Sequence, residues 1–126
     1  MTIADTDVLI DYLSGAEPGA SRVSQAIERG ALHTTAITRF ELLSGARTAR
    51  AEASIRELLD VISTVPLDEQ CADRAALVRR SLEKSGTSIG MADSLIAGIV
   101  LVHRAILLTR NLKHFERVTG LRLADP

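Results

Sequence analysis

Met1-Thr2-Ile3-Ala4-Asp5-Thr6-Asp7-Val8-Leu9-Ile10-Asp11-Tyr12 decides how the rest of the chain is read. A short apolar-leaning run stops at Asp5-Thr6-Asp7, and helical spacing (Leu9, Ile10, Leu13) begins at once. That predicts a strand feeding directly into a helix, with acids at the join. In open α/β sheets, ligand sites lie beyond the carboxyl ends of the strands. A strand covered on both faces is mostly apolar, so a carboxylate at its end is costly without a partner. Asp7 suits the N-cap of the new helix. Asp5 is then left without a role, and its partner must come from elsewhere in the chain.

Outward from this join, strands and helices alternate. Val23, Ala26 and Ile27 have helical spacing and end at Gly30, and Ala31 to Thr35 reads as a second strand. Ile37, Phe40 and Leu43 predict a helix closed by Gly45; Ile55, Leu58, Leu59 and Ile62 predict another. Ser63 to Val65 is a brief strand stopped by Pro66. A long helix from about Asp68 to Lys84 carries the stripe Cys71, Ala75, Val78, Leu82, and a further helix runs from Met91 to His103. Ala105 to Leu108 is a buried strand, Leu112 to Arg117 a short helix, and Leu121 to Leu123 a last strand. This alternation implies one domain over residues 1–126: a three-layer α/β/α sandwich around a parallel sheet.

Composition narrows the function. With 126 residues, 46% of them hydrophobic, the chain can bury a core and is not disordered. A formal net charge of −1 supplies no global basic field for nucleic acid, so any polyanion must be held by a local patch, a metal ion or a partner. One Tyr, two Phe and no Trp leave no aromatic platform for stacking bases. The single cysteine, Cys71, excludes an internal disulfide and a cysteine zinc cluster. The N-terminus lacks the pattern of a signal peptide. The apolar run Leu95–Val102 is interrupted by His103 and Arg104, well short of the ~20 residues of a membrane span. A cytoplasmic protein is expected.

Two further acids sit against apolar stripes. Glu41 lies at the edge of the buried face of its helix, and Asp93 precedes Ile96 and Val100 on the buried side of another. Each has a bland explanation: Thr38-x-x-Glu41 matches a capping box, and Asp93 falls in a first helical turn, where the dipole favours an acid. Together with Asp5, however, they place three carboxylates at one edge of the sheet, where they repel unless a cation joins them. Oxygen ligands alone point to Mg²⁺ or Mn²⁺, and a carboxylate-held divalent ion suits phosphodiester hydrolysis. Thr6 and Thr109 can add hydroxyl contacts and Asn111 a carbonyl oxygen. Arg110 is the first choice for a substrate phosphate contact. His114 lies near this site, with a solvated position expected.

Four blocks then carry a family resemblance: Ile3–Asp11, Thr38–Gly45, Ile89–Ala97 and Leu108–Phe115. In this order, and across nearly the whole length, they resemble PIN-domain proteins, specifically the toxin ribonucleases of VapBC toxin–antitoxin pairs. The resemblance implies a PIN-like doubly wound sheet and an endoribonuclease held inactive by a cognate antitoxin. It also implies a homodimer and acidic metal ligands at Asp5, Glu41 and Asp93, with Asp5 and Asp93 holding the ion. The family's fourth acidic position falls on Asn111, which is neutral here, and the position usually Asn or Ser is Asp7. Two other classes compete. A receiver-like phosphoacceptor switch would need a lysine after a late strand, where this chain has Arg110. A catalytically silent interaction module would use the acids only as helix caps.

Overall fold

The computed structural model describes residues 1–126. The chain begins β1 (Thr2–Ala4), α1 (Thr6–Ser14), α2 (Gly19–Glu28), β2 (Leu32–Thr35), α3 (Ala36–Gly45) and α4 (Ala49–Val61). It continues β3 (Ser63–Val65), α5 (Glu69–Lys84), α6 (Met91–Val102), β4 (Ile106–Leu108), α7 (Leu112–Phe115) and β5 (Arg122–Ala124). Every element expected from the sequence forms, the last strand one residue later than its apolar pattern suggests. No helix is long and apolar enough to cross a membrane.

The five strands form one all-parallel sheet in the order β3-β2-β1-β4-β5. From β1 the chain winds to one side through β2 and β3, then crosses back to build β4 and β5 on the other. The winding direction therefore reverses between β1 and β4, which is where an open α/β sheet leaves a crevice beyond its strand ends. Receiver domains use the order 2-1-3-4-5, so the topology excludes that alternative.

Alternation along the strands divides the core into two layers. Ile3 and Leu107 face a cluster with Cys71, Val78, Leu82, Ile96, Ile99 and Phe115, contributed by α5, α6 and α7. Ala4 and Leu108 face the opposite cluster with Val8, Leu9, Val23, Leu58 and Leu59, contributed by α1, α2 and α4. The Cys71 thiol is a fully buried core group, as its helical spacing predicts.

In the first of these layers α5 and α6 meet at Ala75 and Gly98. A Cβ added to Gly98 would lie 2.6 Å from the Ala75 Cβ and 2.7 Å from its backbone nitrogen, so the glycine is there for space. Gly98→Ala should lower stability by about 1–3 kcal/mol, the usual cost of overpacking a tight core contact. The helix-propensity gain of about 1 kcal/mol offsets only part of it. Chemical denaturation measures the difference, and unchanged stability would mean that α5 and α6 can separate freely.

The helix starts differ from expectation in two places. Asp5, not Asp7, is the N-cap of α1, and its carboxylate accepts the Thr6 N–H at 2.8 Å. Asp7 sits in the first turn. Thr35 caps α3 by accepting the Thr38 N–H at 3.1 Å, so Thr38-x-x-Glu41 is not a capping box. Phe40 departs as well: it is 69% exposed, while Thr38 and Leu42 form the buried stripe of α3. Apolar spacing misses this because a buried position of that helix holds a hydroxyl.

Candidate active site

The sheet ladder continues one step past β1 and β4 and carries two polar residues into the crevice. The Asp5 N–H donates to the Leu108 carbonyl at 2.9 Å, and the Thr109 N–H donates to the Ala124 carbonyl at 3.1 Å. Ala4 is in register with Leu108, so Asp5 and Thr109 follow as neighbours at the switch between strand directions. Their side chains meet: the Thr109 hydroxyl donates to Asp5 Oδ2 at 2.7 Å. Asp7 Oδ2 lies 3.4 Å from the same hydroxyl. One proton serves one acceptor, and the shorter contact assigns it to Asp5. The Thr109 oxygen in turn accepts the Asn111 N–H at 3.0 Å.

Asp5 is only 5% exposed. Burial pushes its carboxyl up from an ordinary 3.8 to about 6; the neighbouring charges of Asp7 and Asp93 add to the rise, and the bonds from Thr109 and Thr6 oppose it. Asp7 is raised for the same primary reason, burial, partly offset by the Arg110 amide. A carboxylate that accepts two good hydrogen bonds and is still hard to ionise is one whose charged form a nearby positive charge would stabilise.

Glu41 reaches this site across one hydroxyl. The Thr6 hydroxyl lies 2.8 Å from Glu41 Oε1 and 3.1 Å from Thr38 Oγ1, and Thr35 Oγ1 lies 3.3 Å from Thr38 Oγ1. Thr35 and Thr38 are fully buried, so these hydroxyls satisfy one another in a chain that ends on the carboxylate. Asp93 stands in the first turn of α6, where Gly90 at φ 91° starts the helix without a side-chain cap. Its Oδ2 lies 3.4 Å from His114 Nδ1, and this contact becomes an ion pair when the ring is protonated.

The structure thus joins Asp5, Thr109 and Asn111 directly, links Thr6 to Glu41, and turns Asp93 toward His114. Arg110 lies at the rim: its backbone N–H donates to Asp7 Oδ2 at 3.0 Å, and its Nε lies 2.7 Å from Asp11 Oδ2. Asp7, Asp11 and Thr38 are parts of the arrangement that sequence reasoning left outside it, and His114, expected near the site, pairs with Asp93. For Asp7 and Asp11 a signal existed, since acids four apart share a helix face. For His114 only tertiary packing brings it to Asp93.

A divalent cation is implied by the family resemblance, and the residues fit one by two observations. The donors are oxygens of the hard type such ions take, and Asp7 Oδ1 is a buried oxygen with no hydrogen-bond partner. As the side chains stand, no three of the acids converge at metal-ligating spacing. Glu41 is held by the Thr6 hydroxyl and Asp93 faces His114.

Comparison with known proteins adds the lineage. The PIN domain family model matches residues 2–121. Ribonuclease VapC1 of Haemophilus influenzae (strain R2866) is 36% identical, over 96% of this chain and 94% of the relative. The tRNA(fMet)-specific endonuclease VapC of Shigella flexneri is 29% identical, over 96% of this chain and 94% of that protein. The crystal structure of DNA-bound VapBC from Salmonella typhimurium superposes with a TM-score of 0.87 at 26% identity, covering 98% of this chain and 96% of the other. With the acid-lined switch point, the strand order and the matched length all in agreement, this chain belongs to the PIN-domain family, among its VapC proteins.

Proposed function

We propose that the chain is an endoribonuclease, the toxin of a VapBC-type pair, with Asp5, Glu41 and Asp93 as its catalytic acids. The observation that carries this reading is Asp5 itself: a nearly buried acid at the switch point, raised to about 6, with two further carboxylates pressing on it. A protein that used these acids only as caps would not need Asp7 and Asp93 to burden Asp5 with their charges. The divalent cation, Mg²⁺ or Mn²⁺, is assigned to Asp5 and Asp93. When bound, such an ion lowers the pKa of water and stabilises charge on the phosphoryl group.

The chain's own groups do the positioning. Thr109 fixes the Asp5 carboxylate, and Thr6 fixes Glu41 so that it can hold a proton acceptor's orientation toward the crevice. Arg110 contacts a phosphate of the RNA, and Asn111 orients ligands of the site without adding charge. The partners follow from the same assignment: a cognate antitoxin that silences the site, and a second copy of the chain, for which exposed Phe40 and Met91 offer apolar surface. The site of action is the cytoplasm. Transfer RNA is the substrate to test first, because a relative matched over nearly its whole length carries tRNA(fMet) in its name.

The test is incubation of the purified protein with total cellular RNA, with Mg²⁺, with Mn²⁺ and with chelator, followed by sequencing of the cleaved ends. Discrete ends that need the ion support the reading; intact RNA under every condition contradicts it. Asn111 supplies a second test. Ligand charge is one lever on affinity for hard cations, so Asn111→Asp should tighten Mn²⁺ binding by about 1 kcal/mol at the effective dielectric of a partly exposed site. Calorimetric titration checks it, and unchanged or weaker binding would mean that Asn111 does not face the ion.

A further inference from the structure

We propose that Asp11 is a positioning residue which, with Asp7, holds Arg110 as a preset clamp for one backbone phosphate of the RNA. The inference rests on the ribonuclease reading and adds to it the means by which an overall acidic site grips a polyanion.

Asp7 and Asp11 are four apart on α1, so they stack on one face of the helix. Both are spent on the same residue. Asp7 takes its main chain, accepting the Arg110 N–H at 3.0 Å, and Asp11 takes its side chain, with Oδ2 2.7 Å from Nε. The guanidinium is therefore fixed at both ends of its stem. The ion pair with Asp11 uses Nε and leaves Nη1 and Nη2 free, and the Arg110 side chain is 52% exposed against 14% for Asp11. The anchor is enclosed and the fork is open.

The seat of Asp11 is built into α2. A Cβ at Gly19 would lie 2.7 Å from Asp11 Oδ2 and 2.8 Å from Asp11 Cβ. Gly19 does not have a left-handed φ, so the glycine serves space and not backbone freedom. Stability does not account for the arrangement, because a half-exposed ion pair contributes little. Recognition does. A planar fork matches a phosphate bidentately, and fixing it beforehand removes rotamer entropy that binding would otherwise cost. The location is right as well: Arg110 follows Thr109, whose hydroxyl bonds Asp5. The clamp stands one residue from the threonine that holds the Asp5 carboxylate.

Binding of a short fluorescein-labelled single-stranded RNA, measured on the full chain carrying Asp93→Asn to prevent cleavage, tests this. Arg110→Gln should weaken binding about tenfold, the loss of one charge-assisted contact. It should also flatten the plot of log affinity against log salt by about 0.7, the share of one phosphate on a single strand. Asp11→Asn should weaken binding about threefold although it removes a negative charge, and should add nothing once Arg110 is Gln. Gly19→Ala displaces the Asp11 carboxylate without altering charge and should act like Asp11→Asn. In the cleaving protein, Arg110→Gln and Asp11→Asn should raise KM with little change in kcat.

Tighter binding by Asp11→Asn would overturn the proposal, since Asp11 would then merely repel RNA. So would additive losses, unchanged binding in Arg110→Gln or Gly19→Ala, or an effect confined to melting temperature. If the wild-type chain cleaves RNA while these variants bind like their parent, the clamp fails and the ribonuclease reading stands. If the wild type neither binds nor cleaves RNA, both fail.

Discussion

Asp5→Asn is expected to make the metal-free protein more stable at pH 8, by about 3 kcal/mol, while ending its activity. The carboxyl is raised from 3.8 to about 6, mainly by burial, and each tenfold weakening of an acid corresponds to about 1.4 kcal/mol. The folded chain thus binds this proton more tightly than the unfolded chain does. The stabilisation that the bound proton gives is fully present below pH 3.8 and is lost as the pH rises through about 6. Asparagine imitates the protonated state at every pH. The gain from Asp5→Asn should therefore be near zero at about pH 3.5, grow as the pH rises from 3.8 to about 6, and level off above that. The cap survives, because the amide oxygen can still accept the Thr6 N–H, and the Thr109 hydroxyl can turn to Asp7 Oδ2 at 3.4 Å.

A divalent ion reaches the same relief by another route. Bound only to the folded wild type, it should raise the melting temperature, by an amount worth roughly 2.7 kcal/mol at a hundred times its dissociation constant. Asp5→Asn should respond far less. Thermal melts from about pH 3.5 to pH 8, with and without Mn²⁺, check both parts. A variant that melts no higher than wild type at pH 8 would mean that Asp5 carries no electrostatic burden.

The fold was legible wherever apolar periodicity was uninterrupted. Cys71, Ala75, Val78 and Leu82 on α5 lie where their spacing says, all buried, and two of the three residues of β4, Leu107 and Leu108, are fully buried. The strand order is a different matter, because no local pattern distinguishes β1 pairing with β4 from β1 pairing with β3. In α3 periodicity fails. Its buried stripe begins with Thr38, and a hydroxyl does not register as apolar, so the pattern points to Phe40 and to the solvent side.

The site was legible as a set of acids and not as an arrangement. Asp5, Glu41 and Asp93 stand out because each sits where an acid is costly. Their partners do not, because the bonds from Thr109 to Asp5 and from Thr6 to Glu41 join residues 104 and 35 positions apart. The exchange of roles between Asp5 and Asp7 is more instructive. Both residues are aspartates and both positions allow a cap, and only the extension of the β1–β4 ladder by one hydrogen bond decides that Asp5 takes it. Asp7 is thereby released to hold Arg110.

Asp93→Asn should leave the fold intact and remove cleavage. The side-chain contact it alters is the one to His114 at 3.4 Å, part-exposed and therefore weak, and an amide fits the same space. Loss of one negative charge also relieves Asp5, so the metal-free variant should melt no lower than wild type. Cleavage should fall by more than about a hundredfold, since even the outer partners of metal ligands cost roughly 10–100-fold when removed. Asn111→Ala, which removes no charge, should cost much less.

Cleavage of an RNA mapped with the wild type, followed for Asp93→Asn at saturating Mn²⁺ alongside its melting curve, tests the assignment most directly. The assignment predicts a folded protein that leaves the RNA uncut. Cleavage by Asp93→Asn at the wild-type rate would contradict it.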